Sequence, residues 1–426
     1  MKTNKLAILG GSKSYKFETK PFSSIGKEEL NAATKVIKTG FLSQYLGEKS
    51  KEFNGGKYVN LFERECERYF KIKNAVVVNS WTSGLIASVG AIDINPGDEI
   101  IVPCWTMCAS ATAILHWNAI PVFADISSKG YNIDISKIET KISKRTKAII
   151  VVEMSGWPLD MEKIMKIAKK YKLKIISDNA QSIGSKYKNK YTGTLSDIGG
   201  YSLNYHKTIQ CGEGGIIITN NDNFADKMRL IRNHGEAVVS NISKKNLINI
   251  IGHNFRMGEI EAAISIEQLK KLKRLVKEKQ KWAKILDQYL INLRGLKIPK
   301  FNKGSSSSYY SYPLYYDEKR LKISKDVIYK ALIAEGIPFL SNKINLLYKL
   351  PIYKNKIAYG NKNFPWSKNI YKGDVDYNNP NCPQAEKFNK SNYLNFGLTL
   401  GDFNENKIHK IGQAFEKVWK NLHSLY

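Results

Sequence analysis

The sequence is short of acids. Of its 426 residues, 38 are Asp or Glu against 67 Lys or Arg, a formal net charge of +29. Such an excess invites a nucleic-acid role. The residues that usually carry that role are missing. The basic residues are mostly lysines spread through every segment, as in "KKYKLK" and "KKLKRLVKEKQKWAK", with no Arg-rich arm, helix-turn-helix signature or zinc-finger spacing. The expectation is a solvated lysine-rich surface and no nucleic-acid partner, with attraction of anionic substrates as the lesser reading.

Cysteine is scarce as well. There are five, an odd number, in a chain without an export signal, which points to reduced thiols. Cys104 and Cys108 stand four apart, but no second Cys or His pair completes a zinc set. Both are read as small apolar fillers, and no metal is expected. Long hydrophobic runs are also absent. The N-terminal run Leu6 to Leu9 is too short for a signal-peptide core, and nothing approaches a bilayer span. A cytoplasmic protein with no membrane partner is expected. Internal repeats and low-complexity tracts are not found.

What is present is globular: 42% hydrophobic and 11% aromatic residues. From about Asn74 onward, short β-branched runs alternate with helical patterns. "NAVVVNS", "IIVPC", "IPVFADI", "RTKAIIVVE", "LKIISDNAQ", "IGGYSLN" and "GGIIITNN" read as strands. "TSGLIASVGAI", "CASATAILHWN", "PLDMEKIMKIAKKYK" and "DNFADKMRLIRNHG" read as helices. This alternation predicts an α/β fold with a mostly parallel sheet covered on both faces. Ligands in such sheets bind beyond the carboxyl ends of the strands. After about Gly252 the pattern becomes one long amphipathic helix, possible break included, which reads as a spine between two lobes. A Ser run, "GSSSS", reads as flexible, and the stretch around "GNKNFPW" as irregular.

Several residues converge on the strand ends. Ser80, Thr82 and Ser83 in "NSWTSGL" sit at a strand-to-helix junction, where hydroxyls and free amides favour an anion; plain helix capping is the alternative. Asp178 in "SDNAQ" ends an apolar strand and needs a positive or hydrogen-bonding partner, with Gln181 just beyond it. Lys207 in "YSLNYHKTIQCGEGG" follows another strand, among glycines that permit close backbone approach. A crowded amine loses its proton more readily and can attack a carbonyl. Lys207, Asp178, Ser202 and the Thr82 turn together supply a Schiff-base amine, a carboxylate for a ring nitrogen and a phosphate cup. Those are the requirements of pyridoxal phosphate.

On these motifs, with "GDEIIVPCWTMCASA", "SDNAQSIG", "RNHG" and "GHNFRMGEIEAAI", the chain resembles the DegT/StrS family of sugar aminotransferases, a branch of fold-type I pyridoxal-phosphate enzymes. The resemblance implies an N-terminal arm over 1–54, a large cofactor domain with a mostly parallel seven-stranded sheet over 55–255, and a long connecting helix with a smaller α/β domain over 256–426. It implies that Lys207 carries the cofactor and shuttles a proton, and that Asp178 holds the pyridine nitrogen. Gln181 would lie near the phenolic oxygen, while Thr82, Ser83 and Ser202 bind the phosphate. Met107 falls where the family usually stacks an aromatic on the ring, and a thioether can still pack there. Asn254 matches a residue that reaches the phosphate of a neighbouring subunit, which implies a homodimer with shared sites. Trp81 departs from the family's usual glycine.

The expected activity is transfer of an amino group from glutamate or glutamine to a keto-sugar, nucleotide-linked or a free or cyclitol ketone, in ping-pong half-reactions. Two alternatives stand. Some relatives replace the lysine by histidine and act as sugar dehydratases; His206 is adjacent, but the spacing to "GEGG" puts Lys207 at that position. The other is a non-enzymatic basic regulatory or nucleic-acid-binding protein on the same scaffold. A softer likeness places Phe41, Tyr45 and the "GNKNFPW" loop at a substrate pocket.

Overall fold

The computed structural model describes residues 5–128, 130–239, 248–298, 300–301 and 303–426. Two helices precede the large sheet: α1 (Lys27–Thr39) and α2 (Lys57–Phe70). The sheet and its helices then alternate as the sequence pattern requires. The order is β1 (Asn74–Val78), α3 (Trp81–Ala91), β2 (Glu99–Pro103), α4 (Ala109–His116), β3 (Ile120–Ala124), α5 (Ile135–Ile138), β4 (Thr146–Val152), α6 (Met161–Tyr171) and β5 (Lys174–Asp178). A small hairpin, β6 (Lys186–Tyr187) and β7 (Lys190–Tyr191), leads to β8 (Ile198–Ser202), β9 (Gly215–Thr219) and α7 (Asp222–Arg232).

The seven main strands lie in the order β1-β9-β8-β5-β4-β2-β3. β9 runs antiparallel to both neighbours, and the other pairings are parallel. The β-branched runs are buried on both sides because helices cover both faces. Val76, Val78, Ile100 and Val102 enter one core, while Ala75, Val77 and Ile101 point into cores on the other face. This period-two division is what a strand imposes. The carboxyl ends of β1, β5 and β8 therefore share one edge. Val78 and Ser202 both pair with Gly215, and Asp178 pairs with Gly200.

Helix α8 (Glu259–Leu290) is continuous over 32 residues, without a break. Its first half packs Ala262, Ile266, Leu269 and Leu272 onto the large sheet, and its second half packs Ala283, Leu286 and Leu290 into a separate core. That second core belongs to an antiparallel sheet, β10 (Leu296–Lys297), β11 (Tyr312–Tyr316), β12 (Leu340–Ser341) and β13 (Tyr393–Phe396), in the order β10-β11-β13-β12. It also holds α9 (Glu318–Leu321), α10 (Lys325–Ala334) and the last long helix, α13 (Glu405–Lys420). Between β12 and β13 the chain makes a long excursion containing α11 (Pro351–Lys354) and α12 (Pro383–Lys387). Tyr353, Trp366, Tyr371 and Tyr377 of this excursion are buried in the same core as Phe123 of β3. Trp366 donates to Tyr377, whose hydroxyl donates to the Pro121 carbonyl at 2.8 Å, so the "GNKNFPW" stretch is fastened to the sheet edge.

The Ser run differs from its flexible reading. Ser306 bridges to Lys186, and Ser307 and Ser308 are fully buried, with Ser308 N donating to Ser185 Oγ at 2.8 Å. Small hydroxyl side chains let this strand-like segment pass close to the hairpin. Among the described residues no helix is long and apolar enough to cross a membrane.

Candidate active site

The site begins where β1 ends. Ser80 caps α3, its Oγ accepting from Ser83 N at 3.1 Å, and Ser83 Oγ donates to Asn79 Oδ1 at 2.7 Å. Thr82 is exposed on the first turn. A Cβ on Gly215 would lie 2.7 Å from the Ser80 backbone, so only glycine lets β9 approach this turn. That approach brings Ser202, the cross-strand partner of Gly215, beside the start of α3. Ser202 Oγ accepts from Asn204 N at 3.3 Å. Thr82, Ser83 and Ser202 thus gather around the positive end of an eleven-residue helix.

Asp178 ends β5 and is buried. Its Oδ1 accepts from Trp81 Nε1 at 2.7 Å and from Ala180 N at 3.1 Å, and its Oδ2 accepts from Ser110 Oγ at 2.7 Å. A carboxylate offers about four acceptor positions; these three bonds leave one on Oδ2 for a further donor. Beneath it, Asn179 Nδ2 donates to the fully buried Glu153 at 2.6 Å. Burial pushes Glu153 up to about 7, against the hydrogen bonds from Leu159, Ser182 and Asn179.

Lys207 lies in the turn between β8 and β9, its backbone N–H donating to Asn204 O at 2.9 Å. Its amine is buried, and among the described residues no ion pair holds it. It sits 4.8 Å from the ring centroid of Tyr310, in the segment leading into β11. Burial pushes Lys207 down to about 8, opposed by the charge of Asp178. Burial, then the Lys207 charge, pushes His206 down to about 4. The His206 ring lies beside Tyr205 and Tyr310.

The remaining sequence-predicted residues are more spread. Gln181 is half-buried and accepts from Ser155 N at 2.7 Å. Met107 is 65% exposed. Asn254 is exposed, bridges to Asn233, and receives Asn79 Nδ2 on its carbonyl at 3.4 Å. Tyr45 is buried against the Arg232 guanidinium, while Phe41 is exposed. Trp105 is buried and packs edge-on against Tyr393. Sequence reasoning missed Ser110 and Tyr310 and took Trp81 only as a departure. For Ser110 the only signal was a hydroxyl on the first turn of a mostly apolar helix that also carries Thr112. Tyr310 gave none.

Pyridoxal 5′-phosphate needs an amine for its aldehyde, a carboxylate for its ring nitrogen and donors for its phosphate. The buried, unpaired Lys207 amine, the open position on Asp178 and the hydroxyl-lined start of α3 fit it.

Known proteins resemble this chain in sequence and in fold. Residues 24–377 match the DegT/DnrJ/EryC1/StrS aminotransferase family. The chain is 30% identical to spore coat polysaccharide biosynthesis protein SpsC of Bacillus subtilis, over 81% of this chain and 87% of that one. It is 33% identical to the UDP-4-amino-4,6-dideoxy-N-acetyl-beta-L-altrosamine transaminase of Helicobacter pylori, over 62% of this chain and 67% of the relative. Among solved structures, Helicobacter pylori PseC, an aminotransferase involved in the biosynthesis of pseudoaminic acid, superposes with a TM-score of 0.76 at 26% identity. That match covers 96% of this chain and all of PseC.

Proposed function

Because the chain belongs to the DegT/DnrJ/EryC1/StrS aminotransferase family, we propose that it uses pyridoxal 5′-phosphate to move an amino group from glutamate or glutamine to the ketone of a nucleotide-linked sugar. The nucleotide handle follows the UDP-linked sugar named for the H. pylori relative; a free sugar or cyclitol ketone is the alternative acceptor. The observation that carries the reading is that Lys207, just beyond β8 and 4.8 Å from the Tyr310 ring, and Asp178, at the end of the neighbouring strand β5, are both buried.

When bound, the cofactor supplies an aldehyde for the amine and a ring that draws electrons from the carbon being deprotonated. The chain's residues do the rest. Lys207 Nζ holds the group and, when free, carries a proton to and from the substrate carbon. Asp178 binds the ring nitrogen through its open acceptor position. The start of α3, with Thr82, Ser83 and Ser202, binds the phosphate. Gln181 would lie by the phenolic oxygen, and Met107 would pack on the ring. Asn254, exposed in one chain, reaches the phosphate site of a second copy, so the working unit is a homodimer. Exposed Phe41, Leu42, Leu46 and Ile251 supply apolar surface for that contact.

The test is direct. Protein incubated with glutamate alone should release 2-oxoglutarate and pass to the amine form of the cofactor. Borohydride reduction before digestion should leave a pyridoxyl group on the peptide carrying Lys207. An unmodified Lys207 peptide defeats the proposal. Keto-sugars are then screened against the amine form: an amino-sugar product supports this activity, whereas loss of a sugar hydroxyl without amination supports the dehydratase alternative. The deeper burial of Lys207, beside a half-buried His206, supports the lysine as the residue that holds the cofactor.

A further inference from the structure

Away from this site, three side chains from distant parts of the chain meet in the core. Cys104 directly follows β2, Asp125 directly follows β3, and Cys382 directly precedes α12. The two sulfurs and a carboxylate oxygen all lie within 4.8 Å of one another, and all three residues are buried. We propose that Cys104, Asp125 and Cys382 form a binding site for one divalent metal ion of the zinc class.

The backbone sets the ligands before any ion arrives. Cys104 N donates to Ala124 O at 3.0 Å, which ties the first two ligands together. Asp125 is oriented by three backbone N–H groups: Oδ1 accepts from Ile126 and Ala385, and Oδ2 from Gln384, each at 2.8 Å. Donors that fix a ligating carboxylate are characteristic of built metal sites. The same bonds bring Cys382, which stands next to that turn, against Cys104. Among the described residues no Lys, Arg or His forms an ion pair with Asp125, so no cationic side chain occupies the place of an ion. Cys108, four residues from Cys104, is only half-buried and is not part of the cluster.

The donor set selects the ion. Two thiolates with one carboxylate favour zinc over magnesium or calcium, which take oxygen ligands. Tetrahedral zinc, with bonds of about 2.3 Å to sulfur and about 2.0 Å to oxygen, holds its ligand atoms roughly 3.3–3.8 Å apart. Those separations lie inside the 4.8 Å within which the three ligand atoms are gathered. The ion enters as both thiols lose their protons to solvent, forming two metal–sulfur bonds and one metal–oxygen bond. The fourth position is left for water. The consequence is structural: an ion here pins the end of the long excursion to the ends of β2 and β3.

The experiment uses the full chain with its cofactor. Zinc is measured by elemental analysis after dialysis. Chelator-stripped protein is then titrated with cobalt(II), whose tetrahedral bands fall at wavelengths clear of the cofactor. About one ion per chain and an intense tetrahedral cobalt spectrum are expected. Cys382→Ser and Asp125→Asn should each lower cobalt affinity at least tenfold, while Cys108→Ser and Cys211→Ser leave it unchanged. Where a variant does not fold, alkylation of the wild-type thiols decides: zinc should slow modification of Cys104 and Cys382 and leave Cys108 unaffected. The proposal is overturned if wild-type protein gives no tetrahedral spectrum, if the spectrum survives in Cys382→Ser, if zinc does not slow that alkylation, or if unreduced protein carries a Cys104–Cys382 disulfide.

Discussion

The indole nitrogen of Trp81 donates to Asp178 Oδ1 at 2.7 Å, with both side chains buried. The bond fixes the carboxylate from the core side, while Ser110 holds its other oxygen. An aromatic ring at the first position of α3 thus acts on the acid proposed to grip the cofactor. Trp81→Phe keeps most of the packing and removes only the donor. A hydrogen bond to a charged group is worth about 1.5–3 kcal/mol, so cofactor affinity should fall at least tenfold, measured by equilibrium dialysis against apoprotein. Circular dichroism should show the fold intact. Unchanged affinity would mean that Ser110 and Ala180 suffice to position Asp178.

Lys207 supplies a pH dependence. Its amine sits at about 8 instead of the ordinary 10.5, chiefly because burial penalises the charged form. Only the neutral amine attacks an aldehyde. The initial rate at which apoprotein takes up pyridoxal 5′-phosphate should therefore rise with pH to a midpoint near 8. The measurement is stopped-flow absorbance at fixed cofactor concentration. A midpoint near 10.5 would place the reacting amine on the surface.

The strands, and the positions of Asp178 and Lys207 beside one another at their ends, were readable for a common reason. Apolar runs such as "NAVVV" and "GIIIT" can only be buried strands in an alternating chain; Asp178 closes one strand, and Lys207 lies in the turn after another. A parallel sheet then sends them to one edge. What was hidden depends on contacts without a period. Nothing in the sequence brings Tyr310 over Lys207 or turns the Trp81 indole toward Asp178, since helix geometry fixes a ring's position but not its distant partner. The Ser run misled because small polar residues look like a linker. Here they are small so that the segment can lie against Ser185 and the hairpin. Cys104 was judged by its sequence neighbour Cys108, whereas the fold pairs it with Cys382.

Lys279 is a buried cation without a purpose at the proposed site. It lies on α8, fully buried, its Nζ without a hydrogen-bond partner among the described residues and 5.2 Å from the ring of Phe22. Burial pushes it down to about 7 from 10.5. The unfolded chain therefore binds this proton more tightly than the folded one. As pH falls from 10.5 to about 7 the folded state loses stability, and below 7 the loss is constant. Lys279→Met fills the same space without charge. It should be more stable than wild type at neutral pH by about 1–3 kcal/mol, with the gap closing as pH approaches 10.5. Urea unfolding across that range measures it, and a gap independent of pH would show that Lys279 reaches water.

The room for Trp81 is made by glycines, and this yields a change of sign. A Cβ on Gly84 would lie 2.6 Å from the Trp81 ring, with Ile217 the next neighbour at 3.2 Å. Gly84 is inside α3, where alanine ordinarily gains roughly 0.5–1 kcal/mol over glycine. With Trp81 present, Gly84→Ala forces the buried ring aside and should instead cost about 1–3 kcal/mol, as overpacking does. In a Trp81→Ala background the ring is gone and only the looser Ile217 contact remains. There the same substitution should be neutral or stabilising, although Trp81→Ala alone costs about 3–5 kcal/mol. Urea unfolding of wild type, the two single variants and the double variant closes the cycle, and the interaction term should be at least about 1 kcal/mol in favour of the double variant. Additive effects would show that Gly84 is required by the helix itself and not by the tryptophan lying against it.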